Sequence, residues 1–180
     1  MLLKTILLLI SKLFYFFYSY EGVNLILRIA PSKCIIAILR NYGAKIGENV
    51  RIQSPFLIHN ADKTSPIFSN LVIGDDCYIG RSIGIDLMDK VIIGNRVSIG
   101  HGSYLNTHID FGKINNEKEK VSPSKNKITI NNDVYIGINV SILQGVTIGE
   151  KSIIGACSLV NKDINADSVA YGIPVKEIDH

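Results

Sequence analysis

Counting in sixes from Ile130 lands on Ile136, Ile142, Ile148, Ile154, Val160 and Ala166, every one aliphatic or small. A second aliphatic series, Ile128, Val134, Val140 and Val146, runs two residues ahead, and Gly137, Gly149 and Gly155 directly follow the main series. The repeating unit is therefore V-x-[IVL]-G-x-x. It returns upstream at Ile73-Gly74, Ile79-Gly80 and Ile85, again at Ile93-Gly94, Ile99-Gly100 and Leu105, and earliest at Ile46-Gly47 and Ile52. Apolar residues two apart have the period of a strand, restarted every six residues by a turn, whereas a helix needs a spacing near 3.6. One unit cannot bury its aliphatic residue alone. Coils stacked at the strand spacing of about 4.8 Å line these residues into a continuous dry column. Three units per coil make a triangular prism, so the chain is predicted to be all-β, a parallel β-helix. Period alone does not set its hand, and the general rule for parallel crossovers favours the right.

Composition narrows the function classes. In 180 residues, 19 Lys plus Arg stand against 16 Asp plus Glu, a net charge of +3, and 47% of the chain is apolar. One domain is expected at this length, and the chain is too apolar for disorder. No basic block suggests a nucleic-acid partner. Cys34, Cys77 and Cys157 are widely and irregularly spaced with no CxxC pair, which argues against a disulfide scaffold or zinc knuckle and for a reduced, cytoplasmic chain.

The ends and interruptions divide the chain into an N-terminal helical segment, 1–43, and a repeat domain, 44–178. Met1 to Tyr20 is nearly all apolar or aromatic and has no small-residue cleavage site. Ser11 and Lys12 interrupt it, leaving the uncharged run short of the ~20 residues of a spanning helix. It fits a peripheral, interfacial membrane helix, or else a cap on the open end of the prism or a self-association helix. A second short helix is predicted over Pro31 to Arg40, with Gly43 placed to end it. Phe111 to Lys127 breaks the register with a polar, Pro123-containing stretch that reads as an excursion loop, able to wall a pocket or simply to decorate the surface. His59 to Asn70 reads as a smaller loop.

The stretch Asn132-Asp-Val-Tyr-Ile-Gly-Ile-Asn-Val-Ser-Ile-Leu-Gln-Gly-Val-Thr-Ile-Gly-Glu150, then Ile153-Ile-Gly-Ala-Cys-Ser-Leu-Val-Asn-Lys-Asp163, and the closing Tyr171-Gly-Ile-Pro-Val-Lys-Glu-Ile178 resemble the hexapeptide-repeat acyltransferases. They are most similar to the galactoside and maltose O-acetyltransferase branch. The resemblance covers roughly three-quarters of the chain and implies a left-handed parallel β-helix. It also implies transfer of an acetyl group from acetyl-CoA to a hydroxyl, a homotrimer with sites shared between subunits, and no metal.

Leu105-Asn-Thr-His108 stands where that branch carries its catalytic histidine, so His108 is the candidate general base. Imidazole suits the role because its ordinary pKa near 6.5 leaves it mostly neutral at cellular pH. The same resemblance places Ile138 and Ala156 at backbone contacts to the pantetheine arm of CoA, and Asn161 and Lys162 near the cofactor's polar end. Tyr135 replaces a tryptophan that flanks the site, and Lys162 and Lys176 are candidates for the CoA phosphates. Ser82 and Asp86, one coil before His108, are looser candidates for the acceptor hydroxyls, with a solvated turn as the alternative. His101, between two glycines, reads as a corner residue that can also approach the pocket.

Relatives with apolar N-terminal helices resemble enzymes that decorate capsule or lipopolysaccharide units at the inner face of the bacterial cytoplasmic membrane. The favoured expectation is therefore a saccharide O-acetyltransferase of surface polysaccharide biosynthesis. The alternatives are a soluble acetyltransferase for free sugars or an antibiotic, and a non-enzymatic β-helix scaffold. A γ-type carbonic anhydrase would need three zinc-binding histidines, and no third histidine joins His101 and His108 in a suitable coil position.

Overall fold

The computed structural model describes residues 2–61, 66–110 and 123–178. Three parallel sheets form the faces of a left-handed β-helix. On the first face Ile46, Ile73, Ile93, Ile130 and Ile148 lie in register. On the second the stack is Ile52, Ile79, Ile99, Ile136, Ile154 and Ala170. The third holds Ile58, Ile85, Leu105, Ile142 and Val160. These side chains are buried and fill the prism. Burying one such side chain contributes about 1.5–3 kcal/mol, and each finds its partner only from the coil above or below.

The count of six fails at one place. Ala166 is exposed, and the chain reaches the first face two residues early, at Ile164, which bridges to Ile148. Ile164 offers the larger apolar group at that level, while Ala166 lies against the close-packed Gly149 at the corner. The glycine after an inward aliphatic residue has a steric cause. A Cβ at Gly47 would strike the side chain of Asp75 on the next coil, and that same carboxylate accepts the Glu48 N–H at 2.7 Å.

The first coil presents an open edge on each face, and the helices close all three. Helix α1 spans Leu2–Leu27 and α2 spans Ser32–Asn41. Asn24 of α1 donates from Nδ2 to the Ile58 carbonyl at 2.6 Å and accepts the Ile58 N–H at 3.0 Å, as a neighbouring strand would. Ser32 Oγ accepts the Ile52 N–H at 3.0 Å, and Arg40 donates to the Ile46 carbonyl at 2.8 Å. An uncovered edge would be a template for pairing with another chain.

Helix α1 breaks at Ser19, where φ is 54° and ψ is −146°. The chain turns back there so closely that any side chain at Gly22 would meet the Phe14 carbonyl. Residues 20–27 therefore pack on the prism, while the outer side of residues 2–18 stays exposed, with Phe16 at 80% and Phe17 at 66%. The straight apolar section is about 25 Å long at 1.5 Å per residue, short of the ~30 Å hydrocarbon thickness. The predicted second helix begins one residue later than expected, with Pro31 as its N-cap, and Gly43 follows it at a φ of 100°.

Most of the expected excursion loop, 111–122, lies outside the described residues. Its returning limb is not loop throughout, because Ser124–Lys125 forms an antiparallel ladder with His108–Ile109. The smaller loop expected from His59 begins later than predicted, since strand Phe56–Ala61 includes His59. Phe68 then returns to the core against Tyr42.

Candidate active site

Strand Ile83–Leu87 of the third face alternates, with Ile85 and Leu87 inward and Asp86 outward, yet all five of its residues are buried. The segment leaving the next coil covers Asp86. Because Ile85 pairs with Leu105, the chain after Leu105 passes over Asp86 as it departs the prism. The Asp86 carboxylate accepts the Thr107 N–H at 2.9 Å and the Thr107 hydroxyl at 2.8 Å, both on Oδ2, and the Met88 N–H at 3.3 Å on Oδ1. The Thr107 hydroxyl also accepts the Asp89 N–H at 3.1 Å, which fixes the turn below.

His108 completes this cluster, with Nδ1 2.5 Å from Asp86 Oδ2. Two N–H groups and a hydroxyl already donate to this carboxylate, so the imidazole also donates to it, from Nδ1. The lone pair is then on Nε2. The two side chains differ sharply in access: His108 is 23% exposed and Asp86 1%. A half-buried imidazole held by a buried carboxylate is an arrangement that can take a proton from a bound hydroxyl.

The outer surface of the third face beside this cluster is shaped by an absent side chain. The Tyr104 ring lies over Gly84, where a Cβ would come within 2.5 Å of Cε2, and its centroid is 5.0 Å from that of His59. Burial, with the nearby Asp86 carboxylate second, raises the Tyr104 hydroxyl above its ordinary pKa. Tyr104 therefore stays a neutral hydrogen-bonding group.

The corner joining the second and third faces carries a ladder of residues, each directly after a glycine: Arg81, His101, Ile138 and Ala156. The backbone bonds Gly102 N–H to Arg81 O, Asn139 N–H to His101 O and Cys157 N–H to Ile138 O join successive rungs. Ile138 is 46% exposed, and it lines an open concavity of about 700 Å³ together with His101, Arg81 and Ser82. His101 accepts the Arg81 N–H on Nδ1 at 2.8 Å.

The remaining sequence candidates are spread over the prism. Tyr135 points outward from the second face, 50% exposed. Lys176 belongs to the closing strand Lys176–Ile178, opposite Tyr171 above the Ala156 corner. Asn161 and Lys162 are exposed at the other edge of the third face, where it turns toward the first. His108 leaves the prism at this same edge. Ser82 is exposed at the ladder corner, whereas Asp86 is neither solvated nor at the surface. Among the described residues no cluster of three or more His, Cys, Asp or Glu is arranged to hold a metal. Cys77 is buried, which pushes its thiol pKa up.

Sequence reasoning missed the joining of Asp86 to His108. The signal was present, because stacking Ile85 beneath Leu105 brings the residues that follow each into one cluster.

The bacterial transferase hexapeptide (six repeats) family matches residues 127–162. Galactoside O-acetyltransferase of Escherichia coli is 33% identical over 143 residues, covering 79% of this chain and 66% of that protein. WcaF of Escherichia coli, named for acetyl transfer in colanic acid biosynthesis, is 30% identical over 137 residues, covering 76% and 69%. A hexapeptide-repeat containing acetyltransferase from Vibrio cholerae, solved with acetyl-CoA, superposes with a TM-score of 0.74 at 26% identity, covering 87% of this chain and 81% of that one. The chain spans just under two thirds of the length of the galactoside O-acetyltransferases it matches. With its stacked coils, its Ile-Gly corners and these likenesses, the chain belongs to the hexapeptide-repeat transferase family.

Proposed function

We propose that this chain is an acetyl-CoA-dependent O-acetyltransferase that acetylates a saccharide hydroxyl in surface polysaccharide biosynthesis. The observation that carries the reading is the Nδ1 bond from half-buried His108 to buried Asp86. Nε2 takes the proton of the acceptor hydroxyl as its oxygen attacks the thioester carbonyl, and the C–S bond breaks. The departing thiolate then recovers the proton from the imidazolium. Such general-base assistance contributes about 10²–10⁴-fold, and positioning of the two substrates supplies much of the rest.

One feature supports a site shared between copies. Within one chain, His108 and the Ile138–Ala156 corner lie at opposite edges of the third face, about 15 Å apart at 3.3 Å per strand residue. A donor lying along that corner meets an imidazole only if a second copy brings its own His108 alongside, as a homotrimer does. The acyl-CoA relative and the galactoside and colanic acid relatives make acetyl-CoA and a saccharide the substrates to test.

The exposed outer side of residues 2–18 supports attachment to the inner face of the bacterial cytoplasmic membrane. Residues 1–43 carry five Lys or Arg and one Glu, so the basic excess of the whole chain resides there. A basic, apolar helix suits an anionic bilayer surface.

The deciding experiment incubates the purified chain with labelled acetyl-CoA and a panel of saccharides beside His108→Ala. Transfer to a saccharide that falls at least 10²-fold in the variant is expected, and unchanged transfer overturns the assigned base. A scaffold would bind no CoA in calorimetry.

A further inference from the structure

The cationic residues of the first coils line three adjoining concavities. The concavity at the ladder corner shares Gln53 and Arg81 with a second one, which contains Arg51 and Lys33. The second shares Lys33 with a third, which reaches Lys4 and Leu8 of α1. Together they make one trough running from the corner, around the capped end of the prism, to the apolar helix. Among the described residues its only acidic lining residue is Glu48, paired with Arg40 at 3.2 Å, and Asp75 and Asp76 stand behind it, accepting from the Glu48 N–H at 2.7 Å and the Asn49 amide at 3.1 Å.

Two exposed cations elsewhere have partners. Arg96 pairs with Asp133 and Lys151 approaches Glu150. Arg51, Lys33 and Arg81 have no carboxylate partner among the described residues, and Arg81 Nε donates only to the neutral Gln53 amide at 3.1 Å. Three uncompensated cations lining adjoining concavities favour a multiply charged anion. His101 adds a donor at the trough's head, because Nδ1 accepts the Arg81 N–H and the ring proton of the neutral imidazole is therefore on Nε2.

We propose that this trough binds the diphosphate of an acceptor saccharide carried on a diphosphate leaving group. The inference rests on the saccharide O-acetyltransferase reading and names its substrate class. Position separates the cations of this site from the candidates for the donor's phosphates, Lys162 and Lys176, which belong to the last coils, whereas the concavity at the trough's head also holds Ile138, the candidate contact to the pantetheine arm, so that the two substrates would meet there. Acceptor and donor would enter the shared site from opposite ends of the prism. A lipid-linked and a nucleotide-linked sugar present the same diphosphate, and the end of the trough at Leu8 suits a lipid carrier lying in the surface that α1 occupies.

The test uses the full chain and a Lys33→Gln/Arg51→Gln double variant, both positions being exposed. Inorganic pyrophosphate, titrated calorimetrically, is expected to bind the parent chain and to bind the variant at least tenfold more weakly, with the melting temperature unchanged. In steady state the variant's KM for the diphosphate-linked acceptor rises at least tenfold while KM for acetyl-CoA holds. UDP-galactose and phosphatidylcholine vesicles carrying undecaprenyl diphosphate, used as competitors, distinguish the two carriers, and displacement by either supports the site. No pyrophosphate binding, equal binding by the variant, or an equal rise in KM for acetyl-CoA overturns the proposal. If pyrophosphate binding depends on Lys33 and Arg51 but no saccharide is acetylated, the transferase reading fails and the diphosphate site stands.

Discussion

His108 Nδ1 lies 2.5 Å from Oδ2 of Asp86, a carboxylate at an outward strand position that is nevertheless only 1% exposed. The segment bearing the imidazole is itself the cover over its partner. Thr107, immediately before it, donates to that carboxylate twice. On the proposed reading Asp86 is a positioning residue, fixing the ring's tautomer and direction. Asp86→Asn is expected to lower kcat by about 10² or more and to leave KM for acetyl-CoA nearly unchanged, as for carboxylates that hold a catalytic histidine. A fall in kcat with the melting temperature and the KM for acetyl-CoA unchanged distinguishes positioning from a purely structural loss.

Asn24 supplies both a donor and an acceptor to a single buried residue of the first coil, Ile58. Asn24→Leu leaves two backbone groups without partners, each costing about 1–3 kcal/mol. Denaturant unfolding should show a loss of about 2–5 kcal/mol. Size-exclusion chromatography should also show larger assemblies, because the third face regains an unpaired edge.

Gly84 and Tyr104 share one volume, so their substitutions should couple. Gly84→Ala forces the ring off the third face and is expected to cost about 1–3 kcal/mol in the parent chain. In a Tyr104→Ala background the same change should be nearly neutral. A double-mutant cycle measures the difference, and simple additivity would mean that the ring does not occupy that space.

The closing strand should be sensitive to acid. Glu177 accepts from the Ser168 hydroxyl at 2.9 Å and from the Asn165 N–H at 3.1 Å. The Ser168 bond, ahead of the others, holds its carboxyl below the ordinary pKa. A depressed carboxylate stabilises the fold above the ordinary range, and this contribution is lost as pH falls through the lowered value. Amide exchange over Lys176–Ile178 should therefore quicken on acidification, and Glu177→Gln should flatten that dependence.

The exposed aromatic pair on α1 gives the membrane reading its own check. Phe16→Ser/Phe17→Ser should lower co-sedimentation with phosphatidylglycerol vesicles at least tenfold, since about 3–6 kcal/mol of apolar insertion is removed. Circular dichroism should be unchanged, because neither side chain packs on the prism.

The prism itself was legible in the sequence. Between the interruptions, the inward residues Ile73 to Ile85, Ile93 to Leu105 and Ile130 to Val160 keep the six-residue phase, because a side chain's direction in a strand depends only on local parity. The count slipped at Ala166 because the final coil is short, and no local rule counts residues around a corner. His108 was singled out by the motif around it. Its carboxylate partner was not, because Asp86 read in its own strand is an outward polar residue of the kind that water usually covers.

The amino-acid sequence alone determined the strand period, the three-sided stacking and the two N-terminal helices, since these follow from apolar spacing and turn chemistry within a few residues. Tertiary structure alone decided that Asp86 is buried behind His108, that Asn24, Ser32 and Arg40 close the three open edges, and that α1 turns back at Ser19. Each of these depends on which coil lies over which, and that order is set by packing across distant parts of the chain.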